Sequence, residues 1–80
     1  MRLDKFLKIS RIIKRRTIAN EACDAGKVMV NGKVAKASVN VVLGDIIEVT
    51  FGNRMQKVKV TGLSEHVRKD DAAGMYDVVE

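Results

Sequence analysis

The sequence has no proline and no tryptophan, one cysteine, one histidine, and only two phenylalanines and one tyrosine in 80 residues. Each shortage excludes something. Without proline, no helix or strand is interrupted by one. With Cys23 alone, an intramolecular disulfide and a multi-cysteine metal site are both ruled out, and a reducing, cytoplasmic setting is the economical expectation. Apolar runs are only a few residues long and no N-terminal apolar segment stands out, so neither a signal peptide nor a membrane span is expected. The glycines sit at turns rather than in a phosphate-cradling pattern. Catalysis lacks its usual parts. His66 stands alone among charges, Cys23 lies on the apolar side of a helix as a small hydrophobe, and Asp70-Asp71 has no ligand spacing around it. No enzymatic activity, cofactor or metal is expected.

What is present fits one small globular domain. Hydrophobic residues make up 46% and charged residues 31% of the chain, with no low-complexity tract, so a small core can form. The net charge of +5 is unevenly spread: residues 1–36 hold ten basic residues against three acids, a net +7, and residues 37–80 hold five against seven, a net −2. The positive field belongs to the N-terminal half and points to a directed face for a polyanion.

Leu3, Phe6 and Leu7 recur at i, i+3, i+4, with Ser10 on the same line, which predicts a short amphipathic helix flanked by Arg2 and Lys5. Asp4 is placed to pair with Lys8 at i+4. Ile12 and Ile13 read as core plugs. Thr17 is the expected N-cap of a second helix whose apolar side is Ile18, Ala19, Ala22 and Cys23, ended by Gly26. The period then changes to two. Val28 and Val30 lead into Asn31-Gly32, a two-residue type I′ hairpin signal, and Lys33–Lys36 returns. Val39 and Val41 form another alternating piece. Ile47, Val49 and Phe51 alternate inward, Gly52-Asn53 turns, and Val58 and Val60 follow. The fold expected is α+β, with two short N-terminal helices and a small twisted, mostly antiparallel sheet of four or five strands. Residues 1–63 read as the domain. Residues 64–80 read as a tail that folds back as an apolar strap or stays mobile.

The basic cluster Lys14-Arg15-Arg16 sits at a helix start, where like charges add to the positive end of the dipole and cost a few tenths of a kcal/mol each unless an anion is expected. A phosphate there would meet backbone N–H groups and guanidinium forks. With so few aromatics, recognition of the backbone shape of a folded RNA fits better than base-by-base stacking.

"RLDKFL" at 2–7, Arg11, "KRRTIA" at 14–19, "AGKVMVNGKV" at 25–34 and "LGDIIEV" at 43–49 resemble the alpha-L RNA-binding motif, the domain named after small-subunit ribosomal protein S-four. The resemblance covers about residues 1–51 and implies two helices and a hairpin forming an L-shaped surface for structured RNA. Arg2, Asp4, Lys5, Arg11, Lys14 and Arg16 match positions that shape or form that surface. Arg15 replaces the small hydroxyl residue often found between the two basic positions. Lys27, Asn31 and Lys33 match its hairpin part. Leu3, Phe6, Leu7, Ile18, Ala22, Val28 and Val30 match core positions.

The ending "AAGMYDVVE" extends the resemblance to the family of short bacterial ribosome quality-control factors of the RqcP type, and to the related heat-shock proteins of the large ribosomal subunit. It implies large-subunit rRNA and peptidyl-tRNA as partners, an alanine-tailing factor on the same particle, and a monomer. Three other readings stay open on the residues alone: a general structured-RNA binder, a small helix-turn-helix DNA regulator, and a protein-interaction subunit docking through Met75, Tyr76, Val78 and Val79. Against DNA, the second helix turns Asn20, Glu21 and Asp24 outward.

Overall fold

The computed structural model describes residues 1–64 and 74–79. Helix α1 spans Leu3–Ile9 and α2 spans Arg16–Asp24; strands follow at Val28–Val30 (β1), Lys33–Val34 (β2), Ile46–Phe51 (β3), Arg54–Val60 (β4) and Tyr76–Val78 (β5). The five strands form one antiparallel sheet in the order β2-β1-β3-β4-β5. The α+β expectation holds, with a different fifth strand. Residues 39–41 do not enter the sheet, and the place is taken by β5 from the tail.

The reason lies at the start of α1. Its first N–H groups need partners, and segment 37–41, a turn running into a bridge residue, supplies them: Leu3 N–H donates to the Val39 carbonyl at 2.8 Å and Asp4 N–H to that of Ala37 at 3.1 Å. Val41 N–H donates to the Met1 carbonyl at 2.7 Å, and the Met1 ammonium to Asn40 Oδ1 at 2.8 Å. Capping a helix end thus replaces the strand that alternation predicts.

Leu3, Phe6 and Leu7 are fully buried, and they pack with Ile13, Ala19 and Cys23 against Val28, Ile47, Val49, Val58 and Val60. Burial of Ser10 follows the predicted stripe; its hydroxyl donates to the Leu7 carbonyl. Ile18, Val34 and Phe51, by contrast, are exposed at 49%, 65% and 41%. Ile18 and Phe51 carry the expected apolar period, but α2 and β3 run past the small core at those points. Ala22 and Val30 are half-buried. The tail residue Met75 is buried, and its carbonyl accepts from Thr61 and Gly62 N–H.

Both two-residue hairpins form. Asn31 and Gly32 have φ of 53° and 82°, the type I′ pattern, while at 52–53 only Gly52 is positive, at 56°, the type II′ pattern. Among the described residues, one other non-glycine residue has positive φ. Arg11, at 64°, follows the α1 C-cap in the left-handed position where glycine is usual. That conformation costs an arginine about 1–2 kcal/mol. Arg11→Gly should therefore raise stability by about 0.5–1 kcal/mol after glycine's extra unfolded-state entropy is discounted. The check is a thermal melt, expected to move up by about 2–8 °C.

Candidate nucleic-acid interface

A buried carboxylate organises the basic face. Asp4 is only 2% exposed, and every oxygen on it is engaged. Arg2 reaches it with a fork, Nε to Oδ1 at 3.2 Å and Nη2 to Oδ2 at 3.3 Å. Arg16 reaches it from α2, Nη2 to Oδ1 and Nε to Oδ2, both at 3.4 Å. Asn20 Nδ2 donates to Oδ2 at 3.4 Å and the Lys5 N–H to Oδ1 at 2.8 Å. Asp4 therefore does not take Lys8, as its i+4 spacing suggests; the first-turn side chain turns toward α2 and clamps the two helices together. One arginine precedes it by two residues and the other follows by twelve, so local spacing could not reveal the set.

Both arginine side chains keep about half of their surface in solvent, 51% for Arg2 and 48% for Arg16. They are held by one end and open at the other. A shallow depression of about 530 Å³ lies beside them, lined by Asp4, Arg16, Thr17, Asn20 and Glu21. The helix starting there has an extended Arg15 as its N-cap with no side-chain cap bond, and no acid in its first turn. Thr17, the expected cap, is one residue inside the helix. Uncapped N–H groups and the positive end of the dipole therefore stand at Arg16 beside this depression, with exposed Lys14 and Arg15 just before it in the chain.

Burial by itself would raise the Asp4 pKa. The hydrogen bonds from Arg2, Arg16, Asn20 and the Lys5 N–H outweigh it and hold the carboxyl below its ordinary value of 3.8. A depressed native pKa stabilises the fold above the unfolded value, and the contribution is lost as pH falls through the native one. The melting difference between the unaltered chain and Asp4→Asn should be full near neutral pH and narrow only as pH drops below about 3.8. Melts across an acid series test this; a difference that narrows near neutrality would assign it to another group.

The remaining cations fall into separate groups. Lys5 is half-buried beside the clamp. Arg11, Lys14 and Arg15 are exposed on the connection between the helices. Lys27 and Lys33 are exposed at opposite ends of β1, about 10 Å apart along the sheet. Asn31 is engaged within the fold: its Nδ2 donates to Asp45 Oδ1 at 3.0 Å and its Oδ1 accepts the Ile46 N–H at 2.9 Å. It fixes the β1–β2 turn to the start of β3 and so positions Lys33. The resemblance placed Asp4 among the positions that shape the surface, but sequence reasoning missed its partners Arg16 and Asn20, and missed Asn20 altogether as an organiser. An acid inside a strongly basic segment was the available signal.

Among the described residues no group of three His, Cys, Asp or Glu side chains could hold a metal, and no helix is long and apolar enough to cross a membrane. Cys23 is buried, and burial, then the charges of Asp4 and Asp24, push its thiol up to about 11, which leaves it a poor nucleophile. His66, Asp70 and Asp71 lie outside the described residues.

Two short helices followed by a five-stranded antiparallel sheet define the class of small domain to which the chain belongs. The S4 domain family matches residues 1–47, and the chain belongs to it. More particularly, it is 51% identical over 79 residues to a Streptococcus pneumoniae protein named RQC P-site tRNA stabilizing factor, covering 99% of this chain and 90% of that one. The protein of that name from Bacillus subtilis is 49% identical over 80 residues, covering 100% and 93%. Among solved structures, heat shock protein 15 of Vibrio cholerae, described as trimeric, superposes with a TM-score of 0.91 at 31% identity, covering 99% of this chain and 81% of that one.

Proposed function

We propose that this chain is a non-enzymatic, cytoplasmic RNA-binding factor of ribosome quality control. It seats on rRNA of large ribosomal subunits still carrying peptidyl-tRNA and steadies that tRNA so that an alanine-tailing factor can act repeatedly. The observation that carries the RNA-binding part is the Arg2–Asp4–Arg16 clamp beside the uncapped start of α2. It presents two guanidiniums at fixed separation, as shape recognition of folded RNA requires. The names of the relatives support the ribosomal and tRNA part. Arg2, Lys5, Arg11, Lys14, Arg15, Arg16, Lys27 and Lys33 form the contact surface in this reading, Asn31 acts through the hairpin, and the working unit is a monomer.

A DNA regulator fits less well. In α2, Asn20 is committed to Asp4, and Glu21 and Asp24 are exposed acids unsuited to a major groove. A protein-docking tail keeps only part of its support, since Met75 is buried and Tyr76 and Val79 are half-buried, while Val78 alone of the four is exposed.

The test is gradient co-sedimentation with empty small subunits, empty large subunits and large subunits carrying peptidyl-tRNA. Preference for the last supports the reading; equal binding to all three reduces it to a generic basic RNA binder. If about four phosphates are contacted, a fourfold rise in salt should weaken binding about a hundredfold.

A further inference from the structure

The β3–β4 hairpin ends in a patch that the basic face does not use. Phe51 and Arg54 are directly paired across the type II′ turn, and Gln56 follows on the same side of β4, paired with Val49. Residues Ile47 and Val49 on this side of β3 are buried under the helices, but Phe51, the next in the series, is 41% exposed. The other two aromatics, Phe6 and Tyr76, are buried and half-buried. Phe51 is thus the one exposed aromatic ring among the described residues. Phe51, Arg54, Met55 and Gln56 line a depression of about 420 Å³, within the range of small-ligand sites of about 300–1,000 Å³.

We propose that this patch holds one unstacked nucleobase of the bound RNA. The chemistry is that of a base site: a flat apolar ring to stack on, an amide that can both donate to and accept from a base edge, and a guanidinium for the ring face or the adjacent phosphate. No carboxylate lines the depression to repel that phosphate. The turn is short, so the ring and guanidinium are held on adjacent strands at fixed spacing. The hairpin also joins the basic surface: Thr50 N–H donates to the Lys27 carbonyl at 2.9 Å, which sets the turn end of the hairpin beside exposed Lys27. An apolar partner protein would find an arginine and an amide in the middle of its contact, which costs desolvation that a nucleotide does not incur.

The inference rests on the RNA-binding reading and deepens it. The experiment is chemical probing of large ribosomal subunits carrying peptidyl-tRNA, using base-specific reagents and hydroxyl radicals in parallel. The unaltered full-length chain, Phe51→Ala, Phe51→Trp and Arg16→Ala are compared. The unaltered chain should protect an unpaired nucleobase. Phe51→Ala should lose that protection, keep the backbone footprint when present at saturating concentration, and bind about tenfold more weakly, the effect of losing one base–aromatic stack. Phe51→Trp should restore both. Arg16→Ala should lose backbone protections first. Backbone protection with no base protection that depends on Phe51 would overturn the stacking site and leave the proposed function standing. A Phe51→Ala defect that Phe51→Trp fails to rescue would overturn the stacking site too. No footprint from the unaltered chain would overturn both readings.

Discussion

Replacing Phe6 with alanine should remove most of the stability of the fold. The ring is fully buried at the centre of the contact between α1 and the sheet. Truncation of such a phenylalanine costs about 3–5 kcal/mol, combining lost transfer energy with the cavity left behind. For 80 residues, typical stability is about 4–12 kcal/mol. The variant is expected to be partly unfolded at 37 °C, with a urea midpoint well below that of the unaltered chain. Phe6→Leu, which leaves a smaller void, should recover more than half of the loss. A Phe6→Ala melt close to that of the unaltered chain would mean that the ring is not part of the core.

The second large effect is on binding. Arg2→Ala and Arg16→Ala should each weaken association with obstructed large subunits about tenfold, and the double variant about a hundredfold, as expected for losing one charge-assisted bond to phosphate apiece. From sequence alone both arginines read as solvent-facing, so that neither change would touch the melt. The clamp revises that. Each removal leaves the buried Asp4 with fewer donors, although Asn20, the Lys5 N–H and the other arginine remain. Because both arginine side chains are half in solvent, their screened contribution is modest, about 1 kcal/mol, and a melting shift of about 4–8 °C is expected. Binding measured at 20 °C, well below either melt, separates the two consequences.

Patterns that depend on near neighbours in sequence were readable. The Leu3-Phe6-Leu7 stripe is buried, both hairpins turn where Asn31-Gly32 and Gly52-Asn53 stand, and Gly26 follows α2 at φ 75°. Failures came where distant segments compete for a group. Residues 39–41 have a strand's alternation, yet the Val39 carbonyl is recruited by the start of α1 and the Val41 N–H by the Met1 carbonyl. Thr17 has a cap's chemistry, yet α2 begins one residue earlier. Asp4 has a helical partner at Lys8, yet Arg16 and Asn20 arrive from α2 and form a denser set of donors. The candidate site was legible as a list of cations. Its organisation was not, because the residue that arranges them carries the opposite charge.

That residue offers the most direct test of the central claim, that cations held in place rather than net charge make the binding face. Asp4→Asn raises the net charge of +5 by one unit. A field-driven polyanion binder would then bind more tightly, with a steeper salt dependence. Loss of the carboxylate instead frees Arg2 and Arg16 from their fixed positions, so the account predicts weaker binding to large subunits carrying peptidyl-tRNA, by about fivefold or more, at a temperature where the variant is folded. Equal or tighter binding by Asp4→Asn would contradict it.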